Sequence, residues 1–317
     1  MTSTPKLKMT TDLPASIMAP DHVETSIGSL DYTDGVPDET TVANVYDYLD
    51  RARAVESFLD CIPAMSMYSI REGQRAFGLD SSNKIVIYDN LLDSKALWLT
   101  ANTSTMYAMG WLDMKTDGPT VIELPPGMLG ILDDAAFLYM TDLGMAGPDQ
   151  GKGGKFLILP PGYEGDVPEG YFVARTNTYG NWVIWRGFQV DGSTQPALDA
   201  TKKSFRMYPL SQKNNPPEMT FVDVSGKSFN TIHRMDYHIF EEINEVVQAE
   251  PSMGESPEVL GYLAAIGIKK GQPFEPDERM KKILTAAASA GALSVKTVWT
   301  KPRDEMFYFY PGESNWM

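Results

Sequence analysis

The chain has 317 residues, 43% hydrophobic and 22% charged, with a formal net charge of -15 at pH 7, an ordinary globular composition with room for one large domain or two smaller ones and no case for general disorder. Nucleic-acid affinity comes mainly from Lys and Arg displacing phosphate counterions, so this acidity opposes polyanionic partners and anionic membranes and favours solubility. The single cysteine, Cys61, excludes an intrachain disulfide framework and a multi-cysteine zinc site, and no apolar run approaches membrane-span length.

Residues 1–38, rich in Thr, Pro, Ser and Asp without periodicity, read as an extended arm. The start MTSTPKLKMTTDLPASIMAP has no apolar core of secretory length; the chain as written reads as cytoplasmic, or as exported to the periplasm if a signal peptide was removed from a longer precursor. Residues 39–78 read as a helical element. Val42, Val45, Leu49, Ala52 and Leu59 recur at helical spacing, Thr40 or Thr41 is placed to cap, and Pro63 ends the run. A second helix is predicted over Ala64 to Phe77, stopping at Gly78, with Met65, Met67 and Tyr68 as core filling and Cys61 as a buried thiol.

Residues 79–230 read as the β core. Short β-forming runs lie at Ile85–Tyr88, Ala96–Thr100, Met106–Leu112, Val121–Leu124, Phe137–Met140, Phe156–Leu159, Tyr171–Val173, Trp182–Trp185 and Met219–Val224, separated by Gly and Pro. Close spacing with no helices between strands predicts an antiparallel β-sandwich or jelly-roll-like core, and disfavours a parallel doubly wound sheet. Residues 231–317 read as a helical extension: Asp236 caps a helix with Phe240, Ile243 and Val247 on one face, Ser256-Pro257-Glu258 starts another closing near Gly267, and Pro276-Asp277-Glu278 opens one that stops at Gly291. Phe307, Tyr308, Phe309, Tyr310 and Trp316 follow and need a surface to cover. The fold class is thus α+β, with a helical N-terminal element and a helical C-terminal extension around the sheets.

The segments LTANTSTMYAMGWLDM (residues 99–114), GPTVIELPPGMLGILDD (118–134), AGPDQGKGGKFLILPPGYEGDVPEGYFVARTNTYGNWVIWRGF (146–188) and FNTIHRMDYHIFEEINEVVQ (229–248) resemble the bacterial domain of unknown function numbered 1254. The lead-in from Val23 and the segment IGIKKGQPFEPDERMKKIL are similar to it as well, so the resemblance covers nearly all of residues 20–317. It implies a β-rich fold with appended helices, frequent export in relatives, no established reaction, and a companion C-terminal β domain, numbered 1214, that would begin about where this chain stops. The expectation is that the chain is a fragment, a processed product or half of a two-chain assembly, its aromatic end meeting the missing domain or a second chain; a homo-oligomer is also expected. Three positions depart from the family pattern: Ser104 replaces an acidic residue, and Ala136 and Leu138 replace a bulky aromatic and a cation. Those last two changes enlarge or dry a cavity if they point inward, or reflect ordinary repacking.

Chemistry is thinly marked. Gly147 to Lys155 has Gly and Lys, but the glycine spacing is wrong for a phosphate cradle and a strand follows where a helix should supply amides. His233 and His238 are five apart and do not share a helical face, so no metal or other cofactor is expected. Asp133, Asp134 and Asp142 suit a shared-proton acid–base site, a calcium site, or turn capping. Ser104 and Thr105, flanked by Asn102 and Tyr107, form a polar group for which His233 is the one base to nominate. Two readings remain. The first is a hydrolase with Ser104, His233 and Asp134 as catalytic residues and Asn102, Thr105, Tyr107, Trp111, Asp142 and Arg186 as binding residues. The second is a non-catalytic scaffold or binder of an unidentified small or carbohydrate-like molecule on aromatics such as Tyr107, Trp111, Tyr179 and Trp185. Hydrogen bonding of His233 to Ser104 or an Asp would favour the first; an aromatic-lined face with His233 elsewhere, the second.

Overall fold

The structure, a computed structural model, describes residues 14–17, 20–98, 101–251 and 257–316. Most of the first half of the expected arm, Leu99 and Thr100 of an expected strand, and Ser256 of an expected helix start lie outside them. The architecture is mixed α+β, in two compact units, residues 1–52 and 53–317. Among the described residues no helix is long and apolar enough to cross a membrane.

In the first unit β1 (His22–Thr25) pairs antiparallel with β2 (Gly28–Thr33), and β2 with the short β3 (Val36–Pro37). Gly28 turns at φ +111, where a side chain would be strained, and the Thr25 hydroxyl donates to its carbonyl at 2.7 Å. Then α1 (Glu39–Asp60) begins. Its cap is Asp38, whose Oδ1 accepts from Thr41 N at 2.7 Å. Thr41, one of the expected caps, instead accepts from Asp31 N at 2.7 Å.

The second unit contains two larger sheets. One has the order β13-β4-β5-β11-β7-β8: Thr220–Asp223, Lys84–Ile87, Met106–Asp113, Gly180–Gly187, Met128–Asp134 and Tyr139–Gly144. The other runs β10-β9-β6-β12: Phe172–Arg175, Gly154–Leu159, Thr120–Leu124 and Arg206–Pro209. Pairing is antiparallel except for β13 with β4 and β10 with β9. Strands β5 (MYAMGWLD) and β11 (GNWVIWRG) are buried on both faces along most of their length, which places them at the centre of their sheet.

One core cluster draws on both sheets, with Ile85, Ala108, Leu132, Val183 and Trp185 from the first and Ile122, Phe156, Ile158 and Met207 from the second. Trp185 stacks on Phe205 at 4.0 Å, with α4 (Gln195–Ser204) contributing Ala197 and Leu198. On the opposite face of the six-stranded sheet, Met67 and Ile70 of α2 (Ile62–Arg75) pack with Val86, Tyr107, Met109 and Trp182, and Trp98 is stacked on both Trp182 and Phe229. A third cluster joins Phe58, Cys61 and Met65 to α5 (His238–Ala249), α6 (Pro257–Ala265) and α7 (Glu278–Thr300) through Phe240, Ile243, Leu263, Leu284 and Ala288.

Several expectations are corrected. The first helix does end just before Pro63, at Asp60, and Pro63 itself sits in the first turn of α2, where its missing N–H is not needed. The inter-strand region does contain helices, α4 and the single turn α3 (Met114–Asp117). Ala96 makes one bridge to Phe229 rather than a strand. The predicted strand at Phe137–Met140 lies further along, as β8, because Phe137 occupies the turn at φ 68; β7, before that turn, was not foreseen. Helix α7 passes through Gly291, where an added Cβ would lie 2.4 Å from Phe58 Cδ1. There the glycine permits close packing and does not terminate the helix. Beyond α7, Phe307, Phe309, Tyr310 and Trp316 are exposed, as is Trp299 near its end.

Candidate functional site

The face of the six-stranded sheet away from the shared core is laid out by register. Trp111, Trp182, Asp133 and Tyr139 stand opposite one another along one row; Met109, Ile184, Ile131 and Asp142 form the next; Tyr107, Arg186, Leu129 and Gly144 form the third. Strand side chains alternate between faces, so all members of these rows fall on one side. Helix α2 and the segment around Trp98 pack over the β4–β5 part. Across β11, β7 and β8, the side chains of Ile184, Ile131, Leu129, Arg186 and Asp142 are only half-buried. Tyr107, Trp111, Asp142 and Arg186, named from sequence as binding residues, therefore share a face.

A register shift between Leu132 and Asp133 brings Tyr139 to the same side. Its hydroxyl donates to Asp142 Oδ2 at 3.1 Å and accepts from Asp142 N at 3.1 Å. Phe137, at the hairpin tip, stands edge-on to Trp182 with ring centroids 6.2 Å apart. Asp133 is 5% exposed and accepts no hydrogen bond from the described residues. Burial first, then the charges of Asp134 and Asp142, push its carboxyl up to about 7. A buried carboxyl without a hydrogen-bond donor is destabilised when ionised, so this acid holds its proton into the neutral range.

Asp134, the neighbour proposed as catalytic, points to the other side and serves the turn. Its Oδ1 accepts from Ala136 N at 2.9 Å and Leu138 N at 3.0 Å, while Oδ2 is buried without a partner. Burial raises its pKa, and those two backbone bonds oppose the rise. Of the neighbouring turn residues, Ala136 is buried and Leu138 is exposed at 40%.

Asn102, Ser104, Thr105 and Tyr107 do come together. Asn102 Oδ1 accepts from the Ser104 hydroxyl at 3.1 Å and the Thr105 hydroxyl at 2.8 Å, and its Nδ2 donates to the Tyr107 hydroxyl at 3.0 Å. Ser104 is exposed, and its carbonyl accepts from Gln189 Nε2 at 2.9 Å. These bonds stitch the entry to β5. They do not reach His233, whose Nδ1 donates to Arg234 O at 2.8 Å and whose ring lies edge-on to Phe58 at 6.5 Å. No hydrogen bond joins His233 to Ser104 or Asp134 among the described residues. His238 pairs with Glu241 at 2.6 Å, and among the described residues no three His, Cys, Asp or Glu side chains are grouped to hold a metal. Trp185 lies on the opposite, core face, and Tyr179 engages Glu250 through its backbone N–H.

Sequence reasoning underweighted Asp133 and missed Phe137 and Tyr139. The signal available was the pair Asp133-Asp134 ahead of a turn, with an aromatic on each side of Leu138. What it lacked was the register shift that turns Tyr139 toward Asp133.

Residues 82–209 match the family described as a protein of unknown function, DUF1254. No curated protein matches the chain. Among solved structures, the crystal structure of the VPA0106 protein from Vibrio parahaemolyticus is similar, with a TM-score of 0.54 and 18% identity over 80% of this chain and 62% of that one. The chain thus spans less than two thirds of that protein, and likeness at this identity extends to the fold alone.

Proposed function

We propose, for a chain whose residues 82–209 belong to the DUF1254 family, that the face of β11, β7 and β8 binds a small polyhydroxylated molecule of carbohydrate type. The observation that carries this reading is the register itself. It sets a half-buried apolar floor, Ile184, Ile131 and Leu129, between Arg186 at one end and Asp133 at the other, flanked by Asp142. A sugar ring has apolar C–H surface and a rim of hydroxyls, and sites of this kind combine apolar walls with a few fixed polar groups. Phe137 and Tyr139, both exposed, supply aromatic edges. We read the two sheets that share a core as the sandwich expected from the sequence, with this face as its outer surface.

Titration calorimetry with a panel of monosaccharides and disaccharides tests the reading. At least one sugar is expected to saturate the protein, with Asp142→Ala and Arg186→Met each weakening it by roughly tenfold, the order of a lost charged hydrogen bond. The reading fails if no sugar binds, or if the folded variants bind as tightly as wild type.

A hydrolase is the second reading, favoured by one observation. A carboxyl near 7 suits a general acid at neutral pH, and Asp142 supplies a second carboxylate close enough to perturb it. Support for that version comes from Asp133 and Asp142; the hydrogen bonds of Ser104, His233 and Asp134 lend it none. Turnover of a chromogenic glycoside that survives Asp133→Asn unchanged would exclude it.

A further inference from the structure

At the other end of the Trp111 row, α2, the turn before β4 and the single turn α3 border a cavity of about 130 Å³. Its lining carries both signs of charge. Arg71 and Arg75 come from successive turns of α2; Asp113 and Asp117 cap and close α3; Trp111 provides an apolar wall.

Arg71 is held as a receptor group is held. Its guanidinium carbon lies 4.7 Å from the Tyr68 ring centroid and 5.9 Å from that of Trp111, and its side chain is only 15% exposed. Nε donates to Glu72 Oε1 at 3.0 Å, and the two terminal nitrogens donate to none of the described residues. Arg75 is tied to the same carboxylate, at 2.9 Å. A guanidinium whose terminal nitrogens make no hydrogen bond, though its charge also acts on the buried Glu250 carboxylate, matches the two oxygens of a carboxylate, and immobilisation by the flanking rings reduces the entropy lost on binding. Facing it, Asp113 accepts from Lys115 N at 3.2 Å and from the Thr116 hydroxyl at 3.1 Å, and Asp117 takes a hydrogen bond from Ser82. Burial raises the pKa of Asp117, the hydrogen bond from Ser82 opposes the rise, and the charge of Asp113 adds to it; both acids line the cavity.

A lone anion here would meet the aspartates, and a lone cation the arginines. A molecule with one charge of each sign satisfies both sides. The volume approaches the roughly 150 Å³ of a benzene-sized cavity, which limits the occupant to a small one. We propose that this cavity binds a small α-amino acid, its carboxylate on the outer edge of Arg71 and its ammonium group between Asp113 and Asp117. This site is separate from the sugar-binding reading and does not depend on it.

The test is titration calorimetry, with thermal shift in parallel, of the full chain against glycine, L-alanine and L-serine, using sodium acetate and ethylammonium chloride as half-ligand controls. One or more of the amino acids is expected to bind at one per chain, with acetate and ethylammonium each weaker by about tenfold or more, since each forgoes one charged contact. Arg71→Lys, which keeps the charge and loses the fork, and Asp117→Asn, which keeps the shape and loses the charge, are each expected to weaken binding about tenfold. Should Arg71→Lys fail to fold, Asp117→Asn and the half-ligand controls carry the test. The proposal is overturned if none of the three amino acids binds, if acetate binds as tightly as they do, or if the folded variants bind like wild type.

Discussion

Asp149 shows how a single side chain gives a glycine-rich loop its form. It is 3% exposed; its Oδ1 accepts from Gly144 N at 2.7 Å and its Oδ2 from Gly153 N at 3.1 Å, so one carboxylate ties together both ends of the loop. Asp149→Ala would leave two buried or part-buried N–H groups unpaired, and a loss of about 3 kcal/mol is expected in urea denaturation. A change below about 0.5 kcal/mol would mean that water or a shifted loop takes over those donors. That this stretch is a loop leading into a strand was legible from its glycines and the run Phe156–Leu159; that the acid inside it is the organiser was not. Asp133 and Asp134 make the same point. Adjacent in sequence, they fall on opposite faces of β7, one onto the open side and the other into the hairpin turn. Alternation guarantees that they differ, but only the register with β11 and β8 decides which one is which.

Among the elements, α7 separates two meanings of one residue. If Gly291 ended the helix, alanine there would be neutral or harmful only through its backbone. Because α7 runs 23 residues, from Glu278 through Gly291 to Thr300, and Gly291 meets Phe58, the governing effect is contact. Alanine favours a helix interior by about 1 kcal/mol over glycine. A Cβ placed 2.4 Å from the Phe58 ring outweighs that gain, so Gly291→Ala is expected to destabilise by a net amount of about 1–2 kcal/mol. A raised thermal midpoint would show that Phe58 moves aside freely. Helices α2 and α5 were readable in advance because their apolar spacing is a local signal, although neither N-cap residue makes a side-chain cap: the residue before α5 is Tyr237, not the expected Asp236. Strand β7 was not foreseen, and its Gly130 sits where an added Cβ would lie 2.8 Å from Ile184 O. The glycine lets two strands approach.

For the whole molecule, stability should depend on pH through its buried acids. Asp117, Asp133, Asp134, Glu242 and Glu250 are all raised by burial. For an acid raised in the folded state, the folded form holds its proton more tightly. Its contribution is greatest below the ordinary carboxylate range and is lost as pH rises towards the folded value. For Asp133 that window runs from about 4 to about 7. Asp80, lowered by its hydrogen bond to Lys84, works in the opposite sense and loses its contribution as pH falls. We expect Asp133→Asn to gain on wild type progressively across the window and to be more stable at pH 8 by an amount on the order of 3 kcal/mol. Equal denaturation midpoints at pH 8 would place Asp133 in contact with water or with a donor that stabilises its charge.

The sequence by itself determined the local events: strand-length apolar runs between Gly and Pro, the apolar face of α5, the acidic balance and the match of residues 82–209 to DUF1254. These depend on neighbours a few positions away, which a single chain displays. The tertiary structure alone decided the strand order, the two parallel pairs, the side of the sheet that Asp133, Tyr139 and Arg186 share, and the partners that keep His233 on Arg234 and Phe58. Each of these depends on register between segments tens of residues apart, and a slip of one residue would send every side chain to the other face.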